Sequence, residues 1–187
     1  MVKDIEYIRR EIVNNRMSYY ELLNLYIEYL ILRRKEMNSL PSYRKDRIYY
    51  SLNKNSNCYA YAFRFDMPDY FEKSFNRSEA EGFSYFPGCF SHNYDITTKG
   101  KLLEALYSDL DILKINYNNC SMKDTYQVAL YQEMFYDRGE MPDFHFWRQN
   151  SSGIWSCKNG QGGNIIKKDE PNCIMGYRLV KKLTIGR

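Results

Sequence analysis

The stretch Asn57-Cys58-Tyr59-Ala60-Tyr61-Ala62-Phe63 decides how this chain is read. It is a short apolar block without Gly or Pro, and it follows the polar run Asn53-Lys54-Asn55-Ser56-Asn57. A block of this kind entered from a polar loop predicts a buried helix that opens at Cys58. A thiol in that position feels the positive end of the helix dipole, which lowers its pKa and favours the nucleophilic thiolate. The competing interpretation is a buried cysteine acting as a small apolar residue.

Upstream of the block, the first forty residues have helical spacing. Ile5, Ile8, Ile12 and Val13 recur near the helical period between Asp4 and Val13. Ser18-Tyr19-Tyr20-Glu21 is a capping box, and Leu22, Leu23, Tyr26, Ile27, Leu30 and Leu32 carry the next helix, which should end before Pro41. Together they predict a helical hairpin over residues 1–40, an appendage to a main domain spanning 41–187.

Downstream, residues 66–100 are rich in turn formers (Pro68, Gly82, Pro87, Gly88 and Gly100) and read as irregular. A helix follows from about Thr98 to Leu113, with Leu102, Leu103, Leu106 and Leu110 on one face. The final third changes period. Strands are predicted at 126–134, 144–149, 154–157 and 177–183, and Asn150-Ser151-Ser152-Gly153 should close a hairpin between the middle two. Helices first, then a mostly antiparallel sheet, is the α+β pattern.

Composition bounds the rest. A chain of 187 residues with 44% apolar content can bury a core and need not be disordered. The net charge of +4 is mild, and acids interrupt nearly all of the basic clusters, so a dedicated nucleic-acid binder is disfavoured. No run of 18 apolar residues predicts a membrane span, and the N-terminus lacks a signal-peptide pattern. The expectation is synthesis in a cytoplasm, with export by a route that cleaves no signal left open. Five cysteines (Cys58, Cys89, Cys120, Cys157 and Cys173) at irregular spacing fit free thiols better than a disulfide framework.

Histidine is scarce: His92 and His145 are the two present. His145 lies in Asp143-Phe144-His145-Phe146-Trp147-Arg148, where alternation puts Asp143, His145 and Trp147 on one face and Phe144, Phe146 and Arg148 on the other. A histidine held on a strand can serve as an acid or base near neutral pH. A cysteine opening a helix, with a histidine on a strand about ninety residues later, follows the order of papain-like enzymes.

The block Asn57-Cys58-Tyr59-Ala60-Tyr61-Ala62 resembles the nucleophile helix of small papain-like amidases and peptidases of the NlpC type. More closely, it is similar to bacterial and phage proteins that pair N-C-Y-A-Y-A with a later D-[FY]-H-[WF]-Y-R-Q strand and a W-S-H-K-x-G turn. Here the corresponding words are Asp143-Phe144-His145-Phe146-Trp147-Arg148-Gln149 and Trp155-Ser156-Cys157-Lys158-Asn159-Gly160. Pro87-Gly88 and Val128-Ala129-Leu130 fall in the matching order, so the resemblance covers roughly residues 50–180.

The resemblance implies a papain-like fold and a cysteine hydrolase acting on an amide bond, as peptidase, amidase or protein deamidase, without a cofactor. Cys58 would be the nucleophile and His145 its acid and base. The polar residue that orients the histidine ring in NlpC-type enzymes is commonly a histidine, and Cys157 stands in its place. Asn159 or Asp143 could take over, since a thiol is a weak hydrogen-bond partner. For the oxyanion, the Cys58 N–H with Asn53 or Asn57 would suffice. A protein or peptide is the expected substrate, and an effector acting on another organism's protein fits the absence of a leader. Two rivals stand beside this: a catalytically weakened papain-like module that binds a protein partner, and a zinc site built on Cys89 and His92 with Cys157 or Cys173.

Overall fold

The computed structural model describes residues 4–39, 56–78, 82–118, 125–136, 140–160, 163–171 and 175–186. Asp4 opens α1 (Ile5–Asn14), its carboxylate accepting the Tyr7 N–H at 2.7 Å. The capping box at Ser18 and Glu21 forms as the residues predict and starts α2 (Tyr19–Asn38). The expected helix at the cysteine is α3 (Cys58–Phe63), all six of whose residues are buried. Asn57 caps it, its side-chain oxygen accepting the Ala60 N–H at 3.1 Å, and Arg64 ends it in the left-handed region at φ 63°.

The segment read as irregular contains a helix, α4 (Asp69–Ser78), with Phe71, Ser74 and Phe75 buried. Pro68 marks its start: the Pro68 carbonyl accepts the N–H groups of Phe71 and Glu72. The turn formers on either side bound the helix instead of dissolving it. Thr98 caps α5 (Lys99–Ile112), which buries Leu102, Ala105, Leu106, Asp109 and Leu110.

The strands are β1 (Thr125–Glu133), β2 (Phe144–Gln149), β3 (Trp155–Lys158), β4 (Ile165–Lys168) and β5 (Tyr177–Gly186). They form one antiparallel sheet in the order β4-β3-β2-β1-β5. The fold is therefore α+β. Asn150 closes the β2–β3 hairpin: its N–H donates to the Ile154 carbonyl at 2.9 Å, and Gly153 supplies φ 85°. The strand at β4 was not foreseen. Its four residues are largely exposed and end in Lys167-Lys168, the composition of a short, charged edge that discourages further pairing.

The two faces of the sheet carry different layers. Val128, Leu130, Phe146, Leu183 and Ile185 join the buried residues of all five helices in one apolar cluster. Ala129, Tyr131, Trp147, Trp155 and Cys157 form a smaller cluster on the other face. A bulge in β5 between Leu179 and Lys181 leaves Val180 outside the ladder and turns it into the larger cluster. The first forty residues, read above as an appendage, place Ile8, Ile12, Leu22, Leu23, Tyr26, Tyr29 and Leu30 in that same core. A paired helix hairpin cannot bury its apolar stripe alone, and here that stripe packs against Phe71, Phe75 and Phe90, around Tyr26.

Candidate active site

Strand register positions β2 beneath the start of α3. The Glu133 N–H donates to the Asp143 carbonyl, so Asp143, His145 and Trp147 direct their backbone groups at β1. Phe144, Phe146 and Arg148 direct theirs the other way, toward β3. There the ladder runs only through Gln149–Trp155 and Arg148–Ser156. Beyond it, α3 takes up the bonds. The Cys58 thiol donates to the Phe144 carbonyl at 3.8 Å. On the β3 side, the Tyr61 hydroxyl donates to Ser156 Oγ at 2.9 Å and Lys158 Nζ donates to Ser56 Oγ at 3.4 Å.

Cys58 thus sits against the backbone of Phe144, the residue before His145. It is 6% exposed, and burial pushes its thiol up to about 12, against smaller downward pulls from the Phe146 and Tyr59 amides. This corrects the expectation of a lowered thiol pKa. A six-residue helix offers a weak dipole, while full desolvation penalises the thiolate heavily.

His145 is also 6% exposed. As the alternation predicts, its ring lies with Trp147, at a centroid separation of 6.0 Å, on the face opposite Phe146. Its Nε2 is sealed from solvent and has no hydrogen-bond partner. Burial holds its pKa below the usual imidazole value, opposed in part by Asp143, so the ring is neutral near pH 7 and able to take a proton. Among the described residues no hydrogen bond joins His145 to Cys58.

The candidates for orienting the ring are placed as follows. Asp143 is exposed and engaged elsewhere: Oδ1 accepts the Phe144 N–H at 2.8 Å and Oδ2 accepts the Tyr177 hydroxyl at 2.5 Å. Cys157 is buried in the Trp147 cluster, its thiol pushed up to about 12 by burial, with Lys168 pulling down. Asn159 is exposed beyond β3, where its N–H donates to the Asn164 carbonyl at 3.4 Å. None of the three is hydrogen-bonded to the His145 ring. Asn57, proposed for the oxyanion, is committed at both ends of its amide: it caps α3 and donates to the Tyr85 carbonyl at 2.5 Å. Asn53 lies outside the described residues, as do Cys120 and Cys173.

One buried residue escaped the sequence reading. Asp109 on α5 is fully buried and accepts the N–H groups of Gly88 at 2.7 Å, Phe90 at 3.1 Å and Ser91 at 2.8 Å, plus the Tyr59 hydroxyl at 3.0 Å. It ties the Pro87–His92 turn to the residue next to Cys58. Burial raises its pKa, and these donors oppose the rise. The available signal was a lone acid on the Leu102-Leu106-Leu110 stripe.

The zinc rival loses its pair. Cys89 is buried with its sulfur 4.0 Å from Asp109 Oδ2, while His92 is exposed and its Nδ1 meets the Tyr94 hydroxyl at 2.6 Å. Among the described residues there is no group of three His, Cys, Asp or Glu side chains suited to a metal, and no helix long and apolar enough to cross a membrane. A polar cavity of about 550 Å³ lies between the α1–α2 connection and the end of α4, and an apolar one of about 40 Å³ between the ends of α2, α3 and α5. Neither is lined by Cys58 or His145.

No protein-family model matches the chain, and no curated protein or solved structure shows significant similarity to it.

Proposed function

We propose that the protein is a cysteine hydrolase acting on an amide bond of a protein or peptide, with Cys58 as nucleophile and His145 as acid and base. The observation that carries this is the Cys58 sulfur on the carbonyl of Phe144, next in β2 to a buried imidazole that burial keeps neutral and whose Nε2 has no hydrogen-bond partner. In the reaction the S–H proton passes to the imidazole and the sulfur attacks the carbonyl carbon. The imidazolium then protonates the leaving nitrogen, and water releases the acyl group from the sulfur. The neutral ring suits the first transfer, and the ring once charged suits the second.

Mass spectrometry of candidate substrates incubated with wild type and with Cys58→Ala tests this directly. Products formed by wild type alone support the hydrolase; identical products from both sink it. His145→Ala should lower kcat by roughly two to four powers of ten, the usual worth of a positioned acid–base group.

A second reading, a papain-like module that binds a protein partner without turnover, draws on a different observation. The thiol is closed off and strongly held in its neutral form, and no ring partner replaces the missing histidine at Cys157. Labelling of Cys58 by a thiol-reactive amide mimic, lost in His145→Ala, would exclude that module.

A further inference from the structure

The polar cavity of about 550 Å³ is walled by three helices. The end of α1 with residues 15–18, the start of α2 and the last turn of α4 each supply a side. The walls are tied together from behind: Tyr19 on α2 meets Phe75 on α4 edge to face at 5.5 Å, and Leu22, Ser74 and Phe75 are buried. A cavity of this size suits a small molecule and is far larger than one water needs.

Two guanidinium groups, Arg16 and Arg77, line it. Arg77 is held in place, its Nε donating to the Lys73 carbonyl at 3.2 Å and a terminal nitrogen to Ser74 Oγ at 2.9 Å, which leaves its remaining N–H groups for a ligand. Arg16 makes no hydrogen bond or ion pair among the described residues. No carboxylate lines the cavity among those residues either. The acids nearest in the chain are engaged elsewhere: Glu11 accepts the Asn15 amide at 3.2 Å, and Glu21 accepts the Ser18 N–H and hydroxyl at 2.9 and 2.8 Å in the capping box. An arginine near a helix end can serve only to complement the dipole. Two on the wall of one cavity, with no acid between them, match a doubly charged anion, and the guanidinium fork fits phosphate oxygens in pairs. Val13, Met17 and Leu22 add apolar surface to the same lining.

We propose that this cavity binds a small phosphate monoester with an apolar body. Arg16 and Arg77 hold the phosphate, and Val13, Met17 and Leu22 receive the body. A phosphate monoester carries close to two negative charges at neutral pH, where a sulfate ester or a carboxylate carries one. Cys58 and His145 do not line the cavity, so this is a second site whatever reaction that pair performs.

The test titrates the full chain with phenyl phosphate, followed by saturation-transfer NMR on the phenyl protons. Binding should saturate, with a Kd of about 1 mM or below. Phenyl sulfate, of the same shape with one charge fewer, should bind about tenfold more weakly, and so should inorganic phosphate, which lacks the apolar body. Arg16→Gln and Arg77→Gln should each weaken phenyl phosphate about tenfold, the loss of one charge-assisted contact. Arg10→Gln removes the same charge from an exposed arginine of α1 outside the cavity and should leave binding unchanged. No saturable binding, equal binding of the two esters, inorganic phosphate binding as well as phenyl phosphate, or equal weakening by all three variants overturns the proposal. Arg77→Gln also removes the bond to Ser74, so wild type supplies a readout that needs no variant to fold. The guanidinium carbon-13 resonances of Arg16 and Arg77 must both shift in step with phenyl phosphate binding; resonances that stay in place overturn it equally. No turnover enters these measurements, so their failure is separate from that of the hydrolase, which is judged by products formed with Cys58→Ala.

Discussion

The two faces of the sheet solve the same burial problem with different materials. The helix-covered face is a broad apolar layer in which Leu130, Phe146, Leu183 and Ile185 are fully buried among residues from every helix. The opposite face is a narrow patch of aromatic and sulfur-bearing residues flanked by polar groups, with His145 Nε2 and Trp147 Nε1 both sealed without partners. Apolar layers gain free energy from area and packing, whereas an unmet buried polar atom costs it. The Cys58 sulfur belongs to the helix-covered cluster, while His145 lies with Trp147 on the other face.

The largest break in this contrast should come from the helix side. Asp109→Ala removes an acceptor shared by three backbone N–H groups and the Tyr59 hydroxyl, and leaves them buried and unmet. Each orphaned group costs on the order of 1–3 kcal/mol, so chemical denaturation should show a loss of at least about 4 kcal/mol. A loss under about 1 kcal/mol would mean that the Pro87–His92 turn does not depend on this carboxylate.

Leu183→Ala comes next, at about 2–5 kcal/mol for a fully buried leucine. Its counterpart on the outer face is Tyr131→Phe, which loses only the hydroxyl donated to the Pro171 carbonyl at 3.0 Å, worth about 1 kcal/mol. Comparable losses at both positions would dissolve the distinction between the faces.

Between these two in size lies a pH effect. The Cys58 thiol is raised in the folded chain to about 12, above its value of 9.0 in the unfolded chain. A raised acid favours folding while it stays protonated. That contribution is complete below the unfolded value and is lost as pH climbs through the folded one. Wild type should therefore lose on the order of 1 kcal/mol more than Cys58→Ala between pH 8 and pH 10, measured by denaturant titration at each pH. Equal losses in the two chains would place the thiol in contact with water and would sharpen the case for an open nucleophile.

Legibility in the sequence followed the locality of each signal. The capping box, the helix opening at Cys58, the Asn150–Gly153 hairpin and the face alternation around His145 rest on contacts within a few residues, and each forms where the residues predict. The helix α4 was hidden because its flanking turn formers outweighed the Phe71–Phe75 spacing. The strand β4 was hidden because Ile165-Ile166-Lys167-Lys168 becomes a strand only by pairing with β3. Asp109 could be singled out only once the Pro87–His92 turn was known to fold onto α5.

The block around Cys58 shows the division most plainly. Its sequence by itself determined a short buried helix opening at Cys58, since an apolar block entered from a polar run is written in neighbouring residues. Tertiary structure decided the state of the sulfur, because desolvation depends on every layer that covers a group. It also decided that the sulfur meets the Phe144 carbonyl, 86 residues away along the chain. Tertiary packing joins residues far apart in the chain, and no local pattern records which strand a helix start will meet.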